Sequence, residues 1–422
     1  MTTTLTREAC VARDAADPLR ALREQFDVPA GTIYLDGNSL GVLPRATAAR
    51  VQQVLRDEWG RDLIKSWNSA GWIDLPRRVG DKIARLVGAG AGELVVADST
   101  SVNLYKVLSA AISIAKSSGD ATRRVILSER DNFPTDLYIA ESLAAQHGME
   151  LKLVMASELA ASIDERLAVL MLTEVNYRTG ALHDMAALTR AAHAAGALAL
   201  WDLAHSAGAL PVELRGADAD FAVGCGYKYL NGGPGAPAFV WVHPRHAERF
   251  VQPLSGWMGH AAPFEFTPGY RPAAGIARYL CGTPPVLSMA ALECGVDTVL
   301  AAEPLGGLRA LREKSLALTQ LFIDLVEARC AGHALALVTP REAARRGSQV
   351  CLARAEGGYA IVQALIARGV IGDFRAPDVL RFGFTPLYVG FADVWDAVEH
   401  LRQVLDSGEW REARFNQRAA VT

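Results

Sequence analysis

The chain has 422 residues, 50% of them hydrophobic and 21% charged, with a formal net charge of -3. That length exceeds the roughly 250–300 residues at which a single hydrophobic core stops growing, so two domains are expected. The slight acidity provides no basic field for nucleic acid or an anionic membrane, and neither is expected as a partner.

The first residues, Met1 to Glu8, contain no apolar core of a secretory signal, and no apolar run approaches the ~20 residues a membrane helix needs. A cytoplasmic protein is the expectation. Cys10, Cys225, Cys281, Cys294, Cys330 and Cys351 are scattered without a C-x-x-C pair. A disulfide framework is therefore not expected, no metal site has a ligand cluster to start from, and buried small hydrophobes are the role for most of these thiols.

From about residue 93 short β-rich runs alternate with helical patterns. Leu94–Ala97 predicts a strand and Val102–Lys116 a helix. Val125–Leu127 precedes a helix over Pro134–His147, whose first position suits proline. Leu151–Val154 and Ala168–Leu172 predict the next strands. Met185, Leu188, Thr189 and Ala192 share one face of a helix beginning near Asp184. Ala197–Trp201, Phe221–Val223 and Ala238–Val242 complete the strands. The Pro- and Gly-rich segment over residues 253–285 is too long for an ordinary connection and too aromatic for a linker, which suits a functional or interface loop. Helices over Leu308–Ala328 and Tyr359–Arg368, with strands at Gln349–Leu352 and Leu380–Phe384, suggest a smaller α+β domain from about residue 300.

Strands alternating with helices imply an α/β fold with a mostly parallel sheet covered on both faces. In such sheets ligands bind beyond the carboxyl ends of the strands. The polar groups at Ser99–Ser101, Thr173–Asn176, Asp202–His205 and Gly224–Lys228 each follow a predicted strand, so they should converge on one edge.

Lys228 sits in the glycine- and aromatic-rich turn Gly226-Tyr227-Lys228-Tyr229-Leu230-Asn231-Gly232-Gly233. A lysine there is well placed to hold an aldehyde cofactor as a Schiff base; the alternative is a surface lysine in a turn. Asp202 ends an apolar run and would favour a protonated pyridine nitrogen by charge attraction, making the ring a better electron sink. A helix cap is its alternative, and His205 taken alone reads more often as a satisfied packing residue. Pyridoxal phosphate needs both groups and a phosphate cradle. Thr100 and Ser101 at a helix start would provide the cradle, although ordinary capping explains them too. Arg381, set among Leu380, Phe382 and Phe384, suits either a bidentate clamp on a substrate carboxylate or a structural salt bridge.

Taken together, these motifs resemble the kynureninase family, pyridoxal-phosphate enzymes of the aspartate-aminotransferase fold type I. The similarity is carried by Tyr34-Leu35-Asp36-Gly37-Asn38-Ser39-Leu40-Gly41, Asn132-Phe133-Pro134-Thr135-Asp136, Asp202-x-x-His205, Gly226–Gly235, Gly256-Trp257-Met258-Gly259 and Arg381–Tyr388. It implies Lys228 as the cofactor lysine, Asp202 as the ring-nitrogen partner and Tyr227 as a third catalytic group. Thr100, Ser101, Tyr227, Trp257 and Thr283 would serve the phosphate and its surroundings. Phe133, with Pro134 and Thr135, would cover the ring face, and Asp136, Thr173 and His205 would complete the shell. Arg381 aligns with the carboxylate-binding arginine, with Arg375 as competitor. Asn38, Ser39 and Trp72 would lie on the substrate side. Many relatives have asparagine where Thr283 stands, so Thr283 and Trp72 are candidate determinants of ring preference.

The resemblance implies an N-terminal segment over 1–60 contributing to the active site and small domain. It further implies a large cofactor-binding domain over 61–300 and a small C-terminal domain over 301–422. The activity it implies is hydrolysis of L-kynurenine, and of 3-hydroxykynurenine as a second candidate, to anthranilate or 3-hydroxyanthranilate and L-alanine. That chemistry belongs to tryptophan and kynurenine catabolism and NAD biosynthesis. A homodimer with Trp257 reaching the phosphate across the interface is also implied. The rival on the same scaffold is a cysteine desulfurase or selenocysteine lyase. That chemistry needs a reactive cysteine on a mobile loop, and neither Cys330, ending a helical pattern, nor Cys351, in a strand-like run, is so placed.

Overall fold

The computed structural model describes residues 6–418. They form two compact units. One holds Thr47–Tyr177 and His183–Asp297; the other holds the described chain up to Ala46, Arg178–Leu182 and the described residues from Thr298 onward.

The first unit is built on seven strands: β1 (Leu94–Val96), β2 (Val125–Glu129), β3 (Glu150–Val154), β4 (Leu167–Thr173), β5 (Leu198–Asp202), β6 (Phe221–Gly224) and β7 (Phe239–Val242). Their order in the sheet is β1-β7-β6-β5-β4-β2-β3. Pairing is parallel from β3 through β6, whereas β7 runs antiparallel to both β6 and β1. β1 therefore points the same way as the parallel set, and the carboxyl ends of β1, β4, β5 and β6 share one edge. Every residue of β2, β4 and β6 is buried, which is why these segments read as continuous apolar runs rather than alternating ones.

The helices begin where their caps dictate. Thr100–Ser117 starts two residues before its apolar pattern because the Ser99 side chain accepts from the Val102 N–H at 3.3 Å. Met185–Ala194 is capped by Asp184, which accepts from the Ala187 N–H at 2.9 Å. Pro134–His147 has proline in its first turn and ends at Gly148 in the left-handed region, φ 63°. Before residue 93 no element is assigned from the sequence, yet a helix at Arg45–Gln53 runs into a π-helical turn at Val54–Trp59, and another helix, with Leu75, Val79 and Ile83 on its buried face, spans Leu75–Ala84.

The second unit carries the antiparallel strands β8 (Ala336–Leu337), β9 (Gln349–Ala353), β10 (Asp373–Arg375) and β11 (Val379–Gly383), in the order β10-β11-β9-β8. Helices Gly307–Arg329, Gly358–Ala367 and Phe391–Ser407 accompany them. Phe322 packs on Phe382 and Phe384, each at 5.1 Å between ring centroids. The N-terminal segment joins the same unit: Ile33–Tyr34 pairs in parallel with Val370–Ile371, and Asp36 bridges Gly383.

Candidate active site

In the first unit the expected convergence occurs. Asp202 is the last residue of β5 and faces Thr173, the last residue of β4, in register. Lys228 lies four residues beyond the end of β6, and its Nζ is 3.0 Å from Nε2 of buried His205. The same amine stands 5.7 Å from the centre of the Tyr227 ring. Asp202 itself accepts from the Ala204 N–H at 2.7 Å, so it does cap the following turn while remaining almost fully buried. Both readings of this residue are thus compatible.

Asp136 comes from the first turn of the helix Pro134–His147 and is 3% exposed, like Asp202. The two carboxyls hydrogen-bond to each other. Burial, then the negative charge of Asp202, holds Asp136 well above the usual carboxylate range. Burial raises Asp202 as well, opposed by the Lys228 ammonium and the Ala204 N–H. Burial therefore favours a proton held within the pair. Two desolvated acids forced to share one proton are costly in a low-dielectric interior, and a cationic ring nitrogen beside Asp202 relieves that cost. The donor set fits a protonated pyridine ring. The Thr173 hydroxyl donates to Asn132 Oδ1 at 2.5 Å and stands 3.4 Å from the Asp136 carboxyl. Asn132 aligns the segment: its side-chain oxygen takes the Phe133 N–H at 2.7 Å, and its amide reaches Ser128 at 3.2 Å. Phe133, 42% exposed, stands edge-on to Tyr177 at 5.3 Å, with Pro134 and Thr135 half-buried behind it.

Thr100 and Ser101 occupy the first two positions of an 18-residue helix, where backbone N–H groups have no intrahelical acceptor and the dipole favours an anion. Trp257 opens a short 3₁₀ turn, Thr283 is exposed, and Gly256 lies so close to Cys281 that a Cβ there would meet its carbonyl oxygen at 2.3 Å. Trp72 is linked to Trp257 through Trp67, with ring centroids 6.2 and 6.4 Å apart. The Trp72 indole donates to buried Glu58 at 2.7 Å. Sequence reading missed Trp67 and Glu58; the S-W-N-S-A-G-W spacing was the available signal for the first.

In the second unit β10 and β11 place Asp373 directly opposite Arg381. Arg381, 1% exposed, grips the Asp373 carboxylate with two nitrogens, Nε at 2.8 Å and Nη2, and its Nη2 also reaches Ser39 Oγ at 2.8 Å. The structural salt bridge is present, and Asp373 orients the guanidinium that a clamp on a substrate carboxylate would also use. Arg375, whose side chain is 38% exposed, touches the same carboxylate at 2.6 Å and Ser39 Oγ at 3.3 Å. The arginines hold Asp373 below the usual carboxylate range, although burial opposes them. Burial and the charge of Asp373 push Asp36 up to about 7.

Asn38 is wholly buried and packs on Gly383, where a Cβ would fall 1.8 Å from its side-chain oxygen. A Cβ on Gly37 would lie 2.2 Å from Thr385 Oγ1. The D-G-N-S-L-G and R-F-G-F-T-P-L-Y motifs thus interlock through their glycines.

Cys330 and Cys351 are both buried, and burial pushes each thiol up to about 11, away from a reactive thiolate. Among the described residues, no group of three or more His, Cys, Asp or Glu side chains is arranged to hold a metal ion, and no helix is long and apolar enough to cross a membrane.

Comparison with known proteins identifies the family and the fold. A family model for the kynureninase C-terminal domain matches residues 311–401. The chain is 58% identical over 420 residues to the kynureninase of Burkholderia pseudomallei (strain 1106a), covering 99% of this chain and 100% of that one. It is 57% identical over the same span to the kynureninase of Pseudomonas fluorescens. Among solved structures, the apo cysteine desulfurase of Thermococcus onnurineus matches with a TM-score of 0.77 at 17% identity, over 92% of this chain and 98% of that one. A C-DES mutant with glycine covalently linked to its PLP cofactor matches at 0.77 and 16% identity, over 91% and 98%. At such identities these structures establish the fold, the type I arrangement of pyridoxal-phosphate enzymes.

Proposed function

Because the chain belongs to the kynureninase family, it is a pyridoxal-phosphate enzyme that hydrolyses a carbon–carbon bond, and we propose that it splits L-kynurenine into anthranilate and L-alanine with the residues described above. The meeting of Lys228 and His205 beside the Asp136–Asp202 pair, at the ends of adjacent strands, carries the assignment of residues.

When bound, pyridoxal phosphate supplies an electron sink for the substrate's α-carbon. Lys228 would hold the cofactor and would move a proton at the substrate's Cα. Asp202 would favour a protonated ring nitrogen, and Asp136, Thr173 and His205 would hold Asp202 and Lys228 in place. Water adds to the γ-carbonyl, the Cβ–Cγ bond breaks with the oxygen retained on the aryl product, and the Tyr227 hydroxyl returns a proton to Cβ. Thr100, Ser101, Trp257 and Thr283 serve the phosphate side, while Phe133, Pro134 and Thr135 cover the ring face. Arg381 takes the substrate carboxylate, with Arg375 as the alternative, and Asn38, Ser39 and Trp72 complete the substrate side. 3-Hydroxykynurenine is a second substrate, discriminated at Thr283 and Trp72. The enzyme acts in the cytoplasm, in tryptophan catabolism and NAD biosynthesis, as a homodimer with active sites at the interface.

The test is direct. Full-length protein supplied with pyridoxal phosphate and L-kynurenine should release fluorescent anthranilate and alanine in equal amounts, and borohydride should fix the cofactor at Lys228. Lys228→Ala should lower anthranilate release by about 10²–10⁴-fold. Alanine formed from cysteine, with no anthranilate from kynurenine, would overturn the reading. Unchanged turnover in Tyr227→Phe would remove Tyr227 from the proton path.

A further inference from the structure

Lys106 is a fully buried lysine in the middle of the apolar helix Thr100–Ser117, flanked by buried Leu104, Val107 and Leu108. A buried ammonium is expensive unless paired, and leucine or methionine would fill the same space at lower cost. Its Nζ makes two contacts from one point: the Asp98 carboxylate, and the Tyr279 carbonyl oxygen at 2.7 Å.

Both partners adjoin segments assigned above to the cofactor phosphate, Thr100 and Ser101 on this chain and Trp257 reaching it across the proposed interface. Asp98 adopts the left-handed conformation, φ 47°, just before the Ser99 cap that opens the helix at Thr100. An aspartate can adopt that conformation more readily than most residues, and a partner that fixes its side chain fixes the direction of the turn. Asn103, three residues before Lys106 on the same helix, holds the neighbouring Ala97 carbonyl at 2.7 Å. On the other side, Tyr279 leads into Cys281, whose carbonyl accepts the Met258 N–H at 3.1 Å beside Trp257, and then into Thr283.

We propose that Lys106 is a positioning residue for the phosphate edge. Its ammonium staples the Asp98–Ser101 turn to the Tyr279–Thr283 segment, setting the direction of the N–H groups of Thr100 and Ser101 and the seat of the Trp257 turn. This rests on the assignment of the phosphate to Thr100 and Ser101.

The experiment compares the affinity of cofactor-stripped, full-length protein for pyridoxal phosphate with its affinity for pyridoxal, which lacks the phosphate. Tryptophan fluorescence quenching reports both. In Lys106→Met, pyridoxal phosphate should bind about tenfold or more weaker, the loss of one charge-assisted contact network, while pyridoxal binding stays within about twofold. Asp98→Asn keeps the side-chain shape and should give the same selective loss, so it decides the matter if Lys106→Met fails to fold by circular dichroism. Equal weakening of both ligands, or no change in either, overturns the proposal. Thr100→Pro separates the two levels of inference, since proline suits the first helical position and removes both the N–H and the hydroxyl. If Thr100→Pro leaves the ratio of affinities unchanged, the phosphate assignment itself fails. If it lowers the ratio and the Lys106 and Asp98 variants do not, the staple alone fails.

Discussion

Asp136 and Asp202 show how much of this site is set by burial rather than by residue type. In the cofactor-free protein Asp136 retains its proton far above the ordinary carboxylate range. Once the unfolded chain has released that proton and the folded chain has not, the folded state binds more protons and stability falls as pH rises. Asp136→Asn mimics the protonated acid, so between pH 5 and pH 8 the melting temperature of the cofactor-stripped variant should fall less than that of the parent. Parallel falls in the two proteins would contradict the shared-proton account. The two arginines on Asp373 make a second prediction. Arg381→Lys keeps a cation for Asp373 but loses the two-pronged grip, and kcat/KM for kynurenine should drop by about 10–100-fold, mainly through KM. Arg375→Ala should raise KM by less than about threefold if the pair is worth what exposed ion pairs are. A larger effect at Arg375 than at Arg381 would reassign the carboxylate clamp.

At the scale of elements, the opposite end of the parallel sheet from the cofactor edge is tied down by one carboxylate. Asp220, just before β6, is 1% exposed and accepts from the Ala199 N–H of β5 at 2.8 Å. It also contacts His193 at 2.8 Å, His246 at 2.7 Å and Arg245 at 2.5 Å. These partners push it far below the usual carboxylate range although burial opposes them, and the hydrogen bond to Asp220 raises His193. The depressed acid contributes stability that is present above 3.8 and lost as pH falls through its folded value. The raised histidine contributes stability that is full below 6.5 and lost as pH rises through its folded value. Both contributions coexist between those limits, and there Asp220→Ala should destabilise the protein by about 1–3 kcal/mol in urea denaturation, since it removes the buried acceptor shared by the Ala199 N–H, His246, His193 and Arg245, the last two of which keep Asp218. A loss below about 1 kcal/mol would mean the cluster is a solvated surface network.

For the whole molecule, the homodimer proposed from the family predicts a sedimenting species of twice the chain mass that persists on dilution into the assay range. A fully active monomer would end that proposal. What the sequence determined by itself is the run of strands and helices from residue 94 to 242 and the gathering of polar residues at the strand ends. Strands buried on both faces must be continuously apolar, and polar residues directly after them have one edge to occupy; Lys228 and Asp202 were legible for that reason. The helix Arg45–Gln53 was not, because it buries no residue and continues into a π-helical turn, so no apolar stripe of helical period marks it; Leu75–Ala84 does carry such a stripe in Leu75, Val79 and Ile83, which sequence reading passed over. Only the tertiary structure decided that Asp136 shares a proton with Asp202, that Asp373 is the partner of Arg381, that two glycine motifs more than three hundred residues apart interlock, and that Lys106 lies buried between Asp98 and Tyr279. Each of these depends on distance and local dielectric between residues remote in the chain, and neither quantity is written in the order of the amino acids nearby.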